Sequence, residues 1–594
     1  MTVRYFSILG RRAQPVRHIV GALPPHLQWH PIAAHSLLAV SNPKELITLP
    51  GTTGFLIGTL FRRHGSAEPV YRFDADDVEA IEATQGQHII DRFWGRYVAV
   101  IRTPGHLLVL RDPSGALPCY YTVSRDELVL TSDPSTLATA TGFVPELDRP
   151  QLARALALGG FPEERTALED VRQILPGMSL QVQRADVSTK ICWDPWRFAC
   201  EQSDRSIEDH AEGLRRVTQL CVSGSAKAGA RSLLGVSGGL DSSIVAACLH
   251  SSENDFACVT LKTDDPLGDE RSYARALASH LGRQLFEESY ALEDVDLDKS
   301  SVCHLPKPCG RLDTQAYDAA VVRVARQIDA KAIFTGNGGD NVFYMSHSAR
   351  PVADQFLANG FSPALLTTVR DISRLTGATG ARVILQAVRA WRNSSDGYVW
   401  RTDPAFLSDT VIDDVVSHPV HHPWLEQPRG CRLPAKAAHV AMLIRMHHSL
   451  DAYRERGGIS VLHPLASQPL LEFCLQIPAW QQCYQGVDRS VARKAFRHAL
   501  PEVVVDRTTK GGPQGFSFQI FHHYRNEIKE RLLDGYLANE RIVERSALET
   551  VFRPGHPTSA AEITRLLMLV DTEAWVRHWR SFGEKSTFPH TDVA

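Results

Sequence analysis

The sequence predicts a two-domain protein of mixed α/β and α+β class, and three observations predict it. At 594 residues the chain is too long for one hydrophobic core. From about residue 50 to 135 short apolar segments are separated by turn signals, as antiparallel strands are. Beyond about residue 200 strand and helix patterns alternate, as in a largely parallel sheet whose ligands sit at the carboxyl ends of the strands. The boundary therefore falls near residue 200, dividing the chain into 1–200 and 201–594.

In the first part, GTTGFLIGTLF, DRFWGRYVAVIRTPG, HLLVLRDPSGALPCYY and DELVLTSD each read as a strand with its turn. ARALALGGFPEE at 153–164 is helical until Gly-Gly and Pro break it, and ILPGMSLQVQ returns to strand. The second part opens with SDRSIEDHAEGLRRVTQLC, a helix with Ser and Asp cap candidates. There follow strand RSLLGVS, a helix from Asp241, strand FACVTLK, helices DERSYARALASHLG and TQAYDAAVVRVARQI, and strand AKAIFTG. In the first of those two helices Tyr273, Ala274, Leu277, Ala278 and Leu281 share one face. The stretch from about 345 to 445 reads as mostly helical and shows no chemistry.

Composition excludes several function classes. A hydrophobic content of 43% and a charged content of 22% are ordinary globular values. A net charge of -3 gives no global field for nucleic acid. No stretch has the length and apolarity of a membrane span, and the start MTVRYFSILGRR lacks a signal-peptide pattern, so a cytoplasmic protein without a membrane partner is expected. The 11 cysteines are scattered without zinc-ligand spacing and read as mostly reduced core residues.

Chemistry concentrates in two glycine-rich turns. Residues 235–248, GVSGGLDSSIVAAC, follow a strand and open a helix. The loop lacks the G-x-x-x-x-G-K-[ST] spacing, so no lysine holds a transferring terminal phosphate. Backbone N–H groups, hydroxyls and the positive helix end instead converge on one anion. Asp241 beside phosphate makes sense with a magnesium ion between them. The second turn, FTGNGGDNVF at 334–343, also follows a strand, and Asp340 could supply a second magnesium carboxylate facing Asp241.

The S-G-G-x-D-S pattern resembles the pyrophosphate loop of the ATP pyrophosphatase group, whose members cleave ATP between the α and β phosphates and form an adenylate. The pairing of the two turns resembles the asparagine synthetase family. The likeness continues through SVLHPLASQPLLEFCLQIP and DRSVARKAFRHALPEVVVDRTTKGG. In the N-terminal half FWGRYVAVI, LVLRDPSGALPCYY and LVLTSD resemble the glutaminase-like domain, a sandwich of two sheets between helices. The resemblance implies that Ser237, Gly238, Gly239, Asp241 and Ser242 hold pyrophosphate, and that Asp241 and Asp340 hold Mg2+. It places Val236 and Leu261 where family backbone groups receive adenine, and Gly336 in the second turn. Lys510 matches the family lysine that faces the adenylate, where an ammonium stabilises charge developing during acyl transfer. Arg489, Arg493 and Arg497 recur every four residues as a basic helical stripe, read either as a solvated face or as a contact to phosphate or substrate carboxylate, with Arg493 assigned to the nucleotide.

The chain also departs from the family pattern. A glutamine-dependent member carries an N-terminal cysteine nucleophile and an N-G-E-x-Y-N-like segment, whereas this sequence has Thr2 and Val3 and reads GFLIGTLF at the corresponding strand. A degenerate glutaminase domain is expected, with the nitrogen nucleophile arriving on the substrate. Two family branches work in that way, beta-lactam synthetases and lasso peptide macrolactam synthetases. Asparagine synthetases carry Glu, and beta-lactam synthetases Tyr, where this chain has Asn337, and an amide is no general base near neutral pH. His447 and His448 lie near the acidic partner of that Tyr, and a histidine could take the amine proton.

The GGDNVF, HPLASQPLLE and DRSVARKAF runs look most like lasso peptide cyclases. The resemblance implies ATP- and Mg2+-dependent adenylation of an Asp or Glu side chain of a linear core peptide, then attack by that peptide's own N-terminal amine. A free N-terminus implies a leader protease and a leader-binding protein as partners. The competing expectations are a small-molecule amide ligase and a non-catalytic scaffold.

Overall fold

The computed structural model describes residues 3–10, 23–33, 36–50, 54–103, 106–124, 127–183, 186–201, 203–226, 229–263, 265, 268–428, 430–451, 455–509 and 511–585. Three sheets organise these residues, two in the first part of the chain and one in the second. The N-terminal strands are β1 (Tyr5–Gly10), β2 (Gln28–Ala33), β3 (Ser36–Val40), β4 (Leu46–Thr48), β5 (Phe55–Arg62), β6 (Pro69–Val70), β7 (Phe93–Thr103), β8 (His106–Arg111), β9 (Tyr120–Ser124), β10 (Glu127–Thr131), β11 (Arg172–Gln173), β12 (Met178–Gln183) and β13 (Asp186–Ile191). One antiparallel sheet runs β11-β9-β10-β1-β3-β2 and the other β13-β12-β8-β7-β5-β4, with β6 on β5.

The period of two along these strands explains why the sheets stack. Tyr5 and Leu9 on β1, Phe55 and Ile57 on β5, and Val98 and Val100 on β7 form one core between the sheets. The intervening Phe6 and Ile8, Leu56 and Leu60, and Tyr97 and Ala99 face a second core that continues into the rest of the chain. Both faces are therefore buried, the requirement of a sandwich covered by helices.

The C-terminal sheet has strands β14 (Ser232–Gly235), β15 (Phe256–Lys262), β16 (Leu285–Ser289), β17 (Ala332–Phe334), β18 (Glu455–Arg456) and β19 (Ile459–Leu462). Its order is β16-β15-β14-β17-β19-β18. The first five are mutually parallel and β18 closes the edge antiparallel. Leu233, Val259, Ile333 and Val461 pack on one face. Leu234, Cys258, Phe334 and Leu462 pack on the other, against the helix Leu240–Ser251. The predicted helices appear at Ile207–Ser225, where Ser206 accepts from the Asp209 N–H, and at Leu240–Ser251, Arg271–Leu281 and Thr314–Gln327. Strands β1 to β4, β6, β11, β13, β16, β18 and β19 carry no sequence expectation; β16 and β19 are short and find their partners only across long loops.

Buried polar groups join the two parts. Glu472 accepts from Arg63 at 2.7 Å, from the Trp193 indole at 2.8 Å and from Gln468 at 2.9 Å. Asp451 accepts from Lys307 at 2.5 Å and lies 3.8 Å from the buried Arg111 guanidinium. A disulfide, Cys200–Cys431, ties the region of the domain boundary to the segment before the helix Pro434–Asp451. It corrects the expectation of reduced cysteines at this pair, whose sequence separation of 231 leaves no spacing signal. The other nine cysteines form no disulfide, and Cys221, Cys248 and Cys474 are among those buried in the core. Among the described residues no helix is long and apolar enough to cross a membrane.

Glu472→Ala strands the Arg63 charge and the Trp193 N–H at this junction. It is expected to cost roughly 3 kcal/mol, the low end for breaking a buried ion pair because Arg63 retains some exposure. Calorimetry should show the unfolding transition of the Ala variant lowered and split; an unchanged single transition would show that this junction does not couple the parts.

Candidate functional site

Both predicted turns lie at carboxyl ends of neighbouring strands. The first leaves β14 and enters the helix Leu240–Ser251, whose N-terminus has no side-chain cap, so its first-turn N–H groups face outward as in an anion site. Gly238 adopts a φ of +64°, and a Cβ there would lie 2.2 Å from the Tyr273 Cβ, so glycine is required on both counts. Ser237 is exposed at the mouth, while Ser242 and Ser243 turn their hydroxyls back to the Gly239 carbonyl.

The second turn leaves β17 and packs backbone to backbone against the first. A Cβ on Gly336 would stand 2.4 Å from the Ser242 nitrogen, and one on Gly339 2.4 Å from the Asp241 Cγ. The amide of Asn341 anchors the turn by donating to the Met442 carbonyl at 2.8 Å. This contact brings Asp241 and Asp340 together on the guanidinium of Arg489, which lies 3.0 Å from Asp241 and 2.5 Å from Asp340. A third carboxylate, Asp488, pairs with Arg489 at 2.9 Å. Burial works against this positive charge, but Asp241, Asp488 and Asp340 outweigh it and hold the Arg489 pKa above the ordinary arginine value.

Two carboxylates that already converge on a cation fit a hard divalent ion such as Mg2+, which takes one or two protein carboxylates and completes its shell with phosphate oxygens and water. Among the described residues no cluster of three or more metal-ligating side chains occurs.

The basic stripe expected at Arg489, Arg493 and Arg497 is not one helical face. Arg489 precedes the helix Ser490–Phe496 in a left-handed conformation, φ +50°, which costs a non-glycine residue about 1 kcal/mol and persists where surroundings over-determine it. Arg493 is buried and donates to the Asp488 carbonyl, the Asp488 carboxylate and the Val505 carbonyl. It holds the Asp488–Arg489 segment by these bonds. Arg497 pairs at the surface with Asp506.

The Val236 N–H donates to the Val259 carbonyl at 2.8 Å, so that amide is committed to the sheet, and Leu261 lies near the carboxyl end of the adjacent β15. Lys510, like Thr2, lies outside the described residues. Its neighbours are anchored beside the first turn. Arg507 pairs with Glu270, stacks 4.0 Å over the Tyr273 ring and donates to the Ser237 carbonyl, and the Gly511 N–H donates to Glu270 at 3.0 Å.

On the helix Pro434–Asp451 it is Met446 and Leu450 that meet Gly338 of the second turn. His447 packs edge-on to Trp424 at 5.2 Å and faces Gly115 of the N-terminal part. His448 is half-buried beside Gly160, and desolvation, with Lys307 and Arg445 nearby, drives its pKa well below the ordinary value of 6.5. Helical periodicity turns neighbouring residues to different faces, which residue proximity in sequence does not reveal. Asn337 is exposed on the turn, its N–H donating to the Thr335 hydroxyl at 3.2 Å.

The family described as asparagine synthase matches residues 213–577, more than half of the chain and all of this site except where it meets the N-terminal part. The chain belongs to the asparagine synthase family. Residues 72–193 match the glutamine amidotransferase domain. The asparagine synthase family chain is 26% identical over 238 residues to the carboxyethyl-arginine beta-lactam-synthase of Streptomyces clavuligerus, covering 39% of this chain and 43% of that one. Over 509 residues it is 22% identical to asparagine synthetase [glutamine-hydrolyzing] 1 of Bacillus subtilis (strain 168), covering 80% of this chain and 77% of that one. Among solved structures, the glutamine phosphoribosylpyrophosphate amidotransferase from B. subtilis with ADP and GMP aligns at 9% identity and a TM-score of 0.22, covering 56% of this chain and 90% of that one.

Sequence reading missed Arg489 as the residue between the carboxylates, and Glu270 and Arg507 beside the first turn. Arg489→Gln removes the charge that Asp241 and Asp340 share. Without Mg2+ it should lower the melting temperature by the equivalent of about 2 kcal/mol, discounted because Asp340 is partly exposed, and added Mg2+ should recover part of the loss. Identical melting curves for variant and parent would contradict this. For His448 the folded pKa is depressed, so its contribution is present above pH 6.5 and lost as pH falls below it. His448→Gln should therefore lose less stability than the parent between pH 7 and 5, measured by thermal melts across that range.

Proposed function

We propose that this protein is an ATP-dependent, AMP-forming carbon–nitrogen ligase that closes a macrolactam ring in a lasso-type peptide. The observation that carries the adenylating half is the meeting of Asp241 and Asp340 at one cation position beside the pyrophosphate turn. A carboxylate of the substrate attacks the α-phosphorus of ATP, pyrophosphate leaves into the turn Ser237–Ser242, and an acyl-adenylate remains. Asp241 and Asp340 would hold Mg2+, which when bound neutralises charge on the phosphates. An amine then attacks the activated carbonyl, the new C–N bond forms, and AMP departs. Lys510 is assigned to the charge that develops in that transfer, as the family resemblance implies.

Two features favour a peptide over a free amino acid. Asn337 occupies the turn position where the small-molecule branches carry Glu or Tyr, so their form of amine activation is not available here. The helices Arg350–Asn359, Pro363–Thr376 and Gly380–Arg392 also expose a large apolar surface, with Phe361 89% and Leu366 66% exposed and Phe356 bridging Phe361 and Trp391. Six arginines lie on these helices, while their two acids, Asp354 and Asp371, are buried. A surface both apolar and basic suits a macromolecular substrate or partner such as the leader protease or leader-binding protein.

The test is mass spectrometry of the full chain with ATP, Mg2+ and a leaderless linear peptide bearing a free N-terminal amine and an internal Asp or Glu. AMP release in step with loss of one water from the peptide is expected, falling about 100-fold or more in Asp340→Ala. AMP release only with free amino acids would replace the peptide reading by the small-molecule cyclisation that the beta-lactam-synthase similarity favours.

A further inference from the structure

A surface helix of a globular protein turns its apolar stripe to the core. The helix Gly380–Arg392, GARVILQAVRAWR, turns most of its apolar side chains outward. Small residues make its contact with the core: Val383 and Ala387 are buried, and Ala390 packs with them against a cluster that includes Val352, Val369 and Ile372. Its larger apolar side chains, Ile384, Leu385, Val388 and Trp391, are all 39 to 50% exposed. Ile384, Val388 and Trp391 recur at i, i+4 and i+7 with Leu385 beside them, so they form one stripe open to solvent.

Arginine flanks the stripe. Arg382, Arg389 and Arg392 lie on the same helix, and Arg370 and Arg374 lie on the helix before it, Pro363–Thr376. All five are exposed, and none joins an ion pair among the described residues. Arg370 and Arg374 feel the charge of Asp371 on their own helix, but that acid is buried, and neither helix carries an exposed one. Phe361, at the turn into the helix Pro363–Thr376, extends the apolar surface, and Phe356 joins it to Trp391.

A protein and an anionic bilayer both suit a surface that is apolar and basic. A bilayer asks for a stripe of aliphatic and aromatic side chains along one helix and for cations beside it, with no acid between. The stripe on Gly380–Arg392, the projecting Phe361 and the single sign of the flanking charge meet those terms. We propose that this helix, with Phe361, docks on an anionic phospholipid bilayer, its apolar stripe at the acyl boundary and Arg382, Arg389 and Arg392 on headgroup phosphates. Arginine stems can rest on apolar surface while the guanidinium reaches the headgroups. The expectation of no membrane partner rests on the lack of a spanning segment, which a helix lying in the interface does not need. Docking there places the ligase at a membrane surface without altering its chemistry.

The experiment is co-flotation of the full chain with vesicles of phosphatidylglycerol in phosphatidylcholine, and with vesicles of phosphatidylcholine alone. The chain should float with the first and not with the second, and added salt should release it, because headgroup attraction is screened. Arg389→Gln combined with Arg392→Gln should weaken vesicle binding about 30-fold. Leu385→Gln should weaken it about 10-fold. All three positions are exposed, so thermal melts of these variants should match the parent's. Brominated acyl chains should quench part of the tryptophan fluorescence, and Trp391→Phe should float normally but lose that quenching. Failure to float with the anionic vesicles would overturn the bilayer assignment and leave the surface to a protein partner. Equal flotation with both kinds of vesicle, flotation that the glutamine variants leave unchanged, or quenching that survives Trp391→Phe would overturn it as well.

Discussion

The site depends on one close approach of two glycine-rich turns. The turns after β14 and β17 touch at Gly336 and Gly339, and any side chain there would collide with Ser242 or Asp241. Only this approach lets carboxylates about a hundred residues apart in sequence share one cation, because a carboxylate cannot reach across two turns held apart by even a methyl group. The parallel order of β14, β17 and β19 puts both glycine-rich turns at the carboxyl edge of one sheet.

Arg489 gives this arrangement a resting state. Two carboxylates facing each other without a counter-charge would repel, and the guanidinium holds them in place. Its left-handed backbone and the buried Arg493 that braces Asp488 show how much of the local structure is devoted to aiming one charge. The N-terminal part contributes differently. Through Arg63 on Glu472 and Arg111 beside Asp451 it is joined to the C-terminal part, and a small cavity lies between the two.

Much of this was legible in the sequence, for identifiable reasons. Glycine-rich turns after apolar strands announce themselves locally, as do helices with regular apolar spacing and a Ser206 cap. The residues that escaped notice act through contacts far apart in the chain. Thr335 meets His463 across 128 positions, Arg63 meets Glu472 across 409, and Cys200 meets Cys431 across 231. Arg489 escaped for another reason: its spacing to Arg493 and Arg497 mimics a helical stripe, and only the left-handed residue before the helix reveals that it points elsewhere. His447 and His448 were placed by proximity, whereas the helix turns Met446 and Leu450 to the turn instead.

The most direct test of the account is a crystal structure with a non-hydrolysable ATP analogue and Mg2+. The account predicts that Asp241 and Asp340 both leave Arg489 to ligate metal, with the β- and γ-phosphates on the turn Ser237–Ser242. A nucleotide bound elsewhere, or an Arg489 that keeps both carboxylates while nucleotide is bound, would contradict it.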